Sequence, residues 1–187
     1  MVGNDIVDIA QAKKESNWQR PRFLDKLFTE KEQQIIHSSE NSFLIVWRLW
    51  SMKEAAYKLY TQCHPSRFYN PKKFECIIDG NSGIVKFQNF KCYVVTKTTS
   101  DYIVSESSLK LSKLKSKVVK LDSECLTNQS EFLKRKLITS ASKRFYGSEV
   151  QFNIKKNNHG VPAMEFNNRK VNISLTHHGN YGAYAIA

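Results

Sequence analysis

Glu54 and Lys58 stand four residues apart in a stretch that is otherwise apolar. Residues 42–60 contain no Gly or Pro and many helix formers, which predicts one helix of about five turns. On a 3.6-residue wheel Ile45, Leu49, Met52, Ala56 and Tyr60 cover one side, and Phe43, Trp47 and Trp50 another. A helix without a polar face is normally buried. Yet Glu54 and Lys58 fall beside Trp47 and Trp50, and Lys53 falls between Val46 and Tyr60. The chemistry open to such groups is electrostatic, because charges taken out of water need partners. A plain i,i+4 ion pair on a partly exposed helix is the alternative, and such pairs are worth little. Two further stretches carry groups of this kind. Residues 1–9 read as a strand with Asp5 and Asp8 among β-branched residues, and residues 171–178 as a strand ending in Thr176-His177-His178. Side chains alternate along a strand, so at most one of the two aspartates points into any single site. Asp8 is expected at a solvated strand end. Turn or cap chemistry is the alternative for Asp5, and a backbone-satisfied strand-end histidine the alternative for His177.

The elements that must position these groups are legible in outline. Gly3 permits a neighbour's backbone to approach the first strand closely. A basic-aromatic segment at 19–28 leads into Thr29-Glu30-Lys31-Glu32, a capping box that starts a helix. After the Trp-rich helix, residues 74–105 alternate and turn like an antiparallel meander. Residues 109–120 hold five lysines with Leu and Val between them, the pattern of a lysine-protected edge strand or of a connection, with a phosphate-binding patch as the third and lesser alternative. A second helix is expected from Ser130 as its cap to Tyr146, stopped by Gly147. Strands follow at 150–154, 163–166, 171–178 and 181–186, with a turn at Gly179-Asn180. Helix-then-meander organisation therefore occurs twice. The fold class is α+β, in two similar halves, 1–120 and 121–187, each a helix packed on an antiparallel sheet.

With 187 residues and 41% hydrophobic content the chain can bury a real core. No apolar run is long enough for a membrane span and no signal-peptide pattern opens the chain, so a soluble, cytoplasmic protein is expected. Four scattered cysteines without a Cys-x-x-Cys pair suggest neither zinc nor disulfides. The net charge of +12 fits nucleic acid, an anionic membrane, an acidic protein or a polyphosphate ligand, and does not choose among them.

Four motifs in order now carry a resemblance: Gly3-Asn4-Asp5; Arg22-Phe23 through Leu27-Phe28-Thr29-Glu30-Lys31-Glu32; Trp50-Ser51-Met52-Lys53-Glu54-Ala55; and Leu175-Thr176-His177-His178 after Gly160-Val161-Pro162. Together they resemble the 4′-phosphopantetheinyl transferase superfamily. The order is similar to that of the short holo-acyl-carrier-protein synthase type. The extra length looks like the two halves of the longer surfactin-synthetase-activating type joined in reverse order. The resemblance implies an active site in the cleft between the halves, both supplied by one chain, with a monomer expected ahead of a trimer.

It also implies the reaction: a carrier-protein serine attacks the β-phosphate of coenzyme A, the 4′-phosphopantetheine arm transfers, and 3′,5′-ADP leaves. On this resemblance Asp5 and Glu54 hold Mg²⁺, which suits one or two carboxylates plus phosphate oxygens. Lys58 reaches the same phosphates, Glu54 accepts the serine proton, and Lys53, Lys58, Thr176 and His177 hold coenzyme A. The position two residues after Asp5, where the longer type often has a second acid, is Val7, and Val161 stands where a lysine is frequent. The partners implied are coenzyme A and an acidic apo carrier protein, drawn in by a basic rim that includes Arg20, Arg22 and the lysines of 110–120; no nucleic acid and no membrane are expected. Two alternatives stand beside this: a non-catalytic relative that binds coenzyme A or carrier protein, and a basic nucleic-acid-binding protein. The latter lacks a recognisable helix-turn-helix, zinc-finger or RNA-binding aromatic motif.

Overall fold

The computed structural model describes residues 1–66, 68, 70–122 and 125–187. The order of elements is β1 (Gly3–Asp8), α1 (Ile9–Glu15), α2 (Phe23–Leu27), α3 (Glu30–Ser38), α4 (Ser42–Cys63), β2 (Glu75–Asp79), β3 (Ser82–Phe87), β4 (Phe90–Thr98) and β5 (Tyr102–Ser108). Then come β6 (Lys117–Lys120), α5 (Leu126–Phe145), β7 (Asn153–Lys156), β8 (Pro162–Phe166), β9 (Arg169–His178) and β10 (Tyr181–Ile186). Two five-stranded antiparallel sheets result, in the orders β1-β5-β4-β3-β2 and β6-β10-β9-β8-β7. The expected α+β class with two halves is what the chain forms. Among the described residues no helix is long and apolar enough to cross a membrane, and all four cysteines are free.

Each half is closed by its long helix. Asn41 caps α4 by accepting from the Leu44 N–H, and His64 and Pro65 end it. One side of α4 (Val46, Leu49, Met52, Ala56, Leu59) is buried on Val85, Phe87 and Val94 of the first sheet and on Phe74 just before it. Another side, with Phe43, Trp47 and Trp50, covers Val7, Ile9 and Ile103. In the second half Leu133, Leu137 and Ala141 of α5 pack on Met164, Ile173 and Tyr184.

Several local details differ from the sequence expectation. α1 and α2 were not legible; Asp8 itself caps α1 by accepting from the Gln11 N–H at 3.0 Å. α5 starts four residues before Ser130, with Cys125 at its cap position, so Ser130 is an internal helix residue. Its last turn is closed by Tyr146, which takes the left-handed conformation at φ 54°. Residues 109–116 make the connection between the halves. Residues 117–120 pair with β10 as an edge strand, so the passage between the halves falls before 117 and not at 120.

The halves meet where the free edge of β1 faces β9. Ile6, Val104 and Ala183 form a small buried cluster there. The Asn4 N–H donates to Ser174 Oγ, and the Asp8 N–H to His178 Nδ1, both at 2.9 Å. Asp8 corrects its expectation: it is 1% exposed, because its second oxygen accepts the Asn180 N–H at 2.9 Å from the β9–β10 turn. Gly179 makes this possible. It sits at φ +55°, and a Cβ there would lie 2.4 Å from the Asp8 carboxylate.

Candidate functional site

β1 runs along one stripe of α4, the residues Ser51, Ala55, Lys58 and Gln62 spaced at four, three and four. Small residues let the two backbones close up, and polar ones satisfy the strand. Ser51 Oγ donates to the Asp5 carbonyl at 3.4 Å; Gln62 accepts the Val2 N–H at 3.1 Å and donates to the Val2 carbonyl at 2.7 Å. Gly3 is required at the crossing, since a Cβ there would lie 2.1 Å from the Ala55 carbonyl oxygen. The wheel therefore hides a polar stripe, and it faces a strand instead of water.

Lys58 is the working end of that stripe. Its Nζ donates to the Asn4 carbonyl at 2.9 Å and to Asp5 Oδ1 at 3.0 Å, within a pair whose side chains are 29% and 10% exposed. An ammonium has three donors, so one is left over, and Lys58 lines a cleft. Asp5 Oδ1 also accepts from Thr176 Oγ1 at 3.0 Å. Asp5 is thus held from both halves, by α4 and by β9. Among the described residues both hydrogen bonds to its carboxylate fall on Oδ1. Glu54 is half-buried on α4, one turn before Lys58, within the span of helix that β1 crosses. Two carboxylates, one with an oxygen to spare, are hard oxygen donors of the kind and number that suit a small divalent cation which keeps its waters. No group of three or more His, Cys, Asp or Glu gathers around a metal position among the described residues.

The cleft, about 300 Å³, lies between α4, α5, β9 and the β7–β8 turn. Lys58 and Gln62 line it from α4, Lys134 from α5, Lys156 and Val161 from β7 and the turn after it, and His177 from β9. Burial holds the His177 imidazole below its usual pKa, with the Lys58 and His178 charges acting the same way. It is therefore neutral at neutral pH, with one N–H to offer an anion.

Two residues sit differently from the expectation. Lys53 is fully buried and turned away from the cleft. Its Nζ lies 2.8 Å from a Glu32 carboxylate oxygen and donates to the Pro71 and Phe74 carbonyls at 3.0 and 2.7 Å, which uses all three protons. The Glu32 carboxylate also accepts the Thr29 and Cys76 N–H groups at 2.7 and 2.8 Å. The pair joins α3, α4 and β2, and no donor remains for a phosphate. Thr176 is 7% exposed and its single hydroxyl proton goes to Asp5, so it positions that carboxylate and cannot donate to a ligand. Conversely, Lys134, Lys156 and His159 line the cleft, although none of them is expected in the site from the sequence. A signal for Lys156 exists in strand alternation: Lys155 pairs with Glu165 at 2.7 Å, so Lys156 shares the opposite face with Ile154.

The profile of the 4′-phosphopantetheinyl transferase superfamily matches residues 1–107. Among curated proteins none matches the chain. Two solved structures are similar in fold. One, described as the apo-ACPS structure of Chronobacterium ammoiniagenes, has TM-score 0.46 and 18% identity, covering 57% of this chain and 93% of its own. The other, the holo-[acyl-carrier-protein] synthase of Thermotoga maritima, has TM-score 0.45 and 14% identity, covering 90% and 83%.

Proposed function

This chain belongs to the 4′-phosphopantetheinyl transferase superfamily, and from that premise we propose that it transfers the 4′-phosphopantetheine arm of coenzyme A to a serine of an apo carrier protein, releasing 3′,5′-ADP. The observation that carries this is Asp5, gripped by Lys58 and Thr176 beside a cationic cleft, with Glu54 on α4 one turn before Lys58.

Phosphoryl transfer of this type rests on positioning and charge neutralisation. Asp5 and Glu54 are the residues that would hold Mg²⁺, which supplies charge neutralisation at the diphosphate when bound. Lys58, anchored by two hydrogen bonds, presents its third N–H to the same diphosphate. Neutral His177 donates an N–H to a phosphate oxygen from the facing strand. Glu54 takes the proton of the attacking serine, directly or through a water. The apolar residues of the cleft, among them Leu133, Ile154 and Ile173, shield the charges and strengthen their interaction. An acidic carrier protein meets a chain of net charge +12, which speeds encounter. Because one chain supplies both walls of the cleft, the active form is a monomer; activity confined to a gel-filtration trimer would refute that part.

The test is incubation with coenzyme A, Mg²⁺ and a panel of apo carriers, read by mass spectrometry. The carrier gains the mass of the phosphopantetheine arm, and Glu54→Gln abolishes the gain with an unchanged melting curve. Coenzyme A binding without transfer would make this a non-catalytic relative. Near-wild-type turnover in Glu54→Gln would remove Glu54 from the reaction.

A further inference from the structure

We propose that a second anion site, built for a phosphate-sized dianion, lies at the C-terminal end of α5. It is a depression of about 260 Å³ lined by Lys115, Lys117, Ser140, Arg144, Tyr184 and Ile186. Ser140, which lines it, is six residues along α5 from Lys134, which lines the cleft, so the nearest lining positions of the two places on that helix are roughly 9 Å apart at the helical rise.

Its chemistry follows from how each group is held. Lys115 and Lys117 flank Ser116, which is buried and donates its hydroxyl to the Glu106 carboxylate at 2.7 Å, while both lysines are exposed and line the depression. Arg144 Nη1 donates to the Ile186 carbonyl at 2.9 Å, which orients the guanidinium and leaves its remaining N–H groups available. The Tyr184 hydroxyl and Ser140 Oγ lie 2.7 Å apart. One donates to the other, and the acceptor keeps its own proton for a ligand. Tyr184 is 6% exposed and Ser140 half-buried, so the hydroxyl pair forms a partly desolvated floor. Among the described residues none of the three cations forms an ion pair with a carboxylate. A guanidinium fork, two ammonium groups and a hydroxyl donor match the several oxygens of a tetrahedral oxyanion better than the two of a carboxylate.

Occupancy ties the connection between the halves to α5 and β10, so the readout is thermal stability of the full chain. Sodium phosphate is compared with sodium chloride at matched ionic strength, and O-phosphoserine with both. The expected result is a phosphate-specific rise of roughly 3–6 °C at ten times the dissociation constant. A larger rise with O-phosphoserine assigns the site to phosphomonoesters; an equal or smaller one assigns it to free phosphate. Arg144→Gln with Lys117→Gln removes the rise, and Lys156→Gln, in the cleft, keeps it. If the double variant does not fold, Lys115→Gln with Lys117→Gln is measured in its place. Absence of a phosphate-specific rise, its survival in the depression variants, or its loss in Lys156→Gln would overturn the proposal.

Discussion

Replacing Lys53 by Met separates two roles that its place beside Glu54 confuses. Lys53 and Glu32 are both 0% exposed, and each is the other's counter-ion. Removing one partner of such a pair leaves a buried charge and costs about 3–5 kcal/mol. The Pro71 and Phe74 carbonyls lose a donor as well, so the lower end of that range is a floor. For a chain of this length each kcal/mol moves Tm by about 2–4 °C, which makes the expected fall roughly 6–20 °C. The Michaelis constant for coenzyme A, measured well below the new Tm, should stay within about twofold, because no part of Lys53 reaches the cleft. Adding Glu32→Gln removes the stranded carboxylate while keeping an acceptor for the Cys76 or Thr29 N–H, and should recover part of the loss. Calorimetric melts and steady-state kinetics of the three proteins decide it. An unchanged Tm with a tenfold rise in the Michaelis constant would show that Lys53 faces substrate and would refute the reasoning.

Thr176→Val deletes one of the two donors to Asp5 Oδ1. Transfer should slow roughly tenfold, from about 1.5 kcal/mol of a charge-assisted hydrogen bond, with the coenzyme A Michaelis constant little changed and Thr176→Ser near wild type; a pure Michaelis effect would count against it. His177 is held below its ordinary pKa, mainly by burial. The folded state therefore binds this proton less readily than the unfolded one, so its stabilising contribution is present above the unfolded value and lost as pH falls below it. A bound phosphate raises that pKa, so coenzyme A binding should take up a proton and tighten as pH falls between the free and bound values. Calorimetry in buffers of different ionisation heat tests this, and uptake unchanged in His177→Gln would exclude the residue. Gly3→Ala pushes a methyl group to 2.1 Å from the Ala55 carbonyl and should lower Tm by about 6 °C or more, at about 3 kcal/mol or above. A melt within 2 °C of wild type would mean that β1 does not cross α4 so closely.

The helix carrying Glu54 and Lys58, the first strand and both meanders were legible because each follows from periodicity or from Gly and Pro placement. What periodicity cannot give is the partner of a buried charge. Lys53 and Lys58 differ by five positions, which turns them about 140° apart on the helix. One meets Glu32 and the other Asp5. Nothing local distinguishes them, since Glu32 advertises itself only as the end of a capping box, a role it also fills. Asp8 was misplaced for a similar reason. Its partners come from α1 and from the turn at Asn180, 172 residues away, and such pairing leaves no trace in the strand itself. Alternation puts Lys156 on the face of Ile154, but that this face, and Lys134 of α5, meet the cleft follows only once α5 and β7 are placed beside α4.

The division of labour between the halves has a consequence for how the site is assembled. The family profile covers residues 1–107, which contain Asp5, Glu54 and Lys58. Residues 109–187 carry 14 Lys and Arg against 5 Asp and Glu, so 14 less 5, or +9, of the chain's +12 lies there. Those residues also supply Thr176, His177 and the far wall of the cleft. Pairing with β5 and the Lys58 contact place Asp5 from the first half alone, with Asp5 opposite Ser105. The Thr176 hydrogen bond and every cleft contact beyond α4 require the second half to be docked. That docking rests on a small apolar cluster, Ile6, Val104 and Ala183, reinforced by the hydrogen bonds at Asn4 and Asp8. Loosening it should therefore remove the ligand-facing wall before it disturbs the carboxylate–lysine pair, because the pair is internal to one half and the cleft is shared by both.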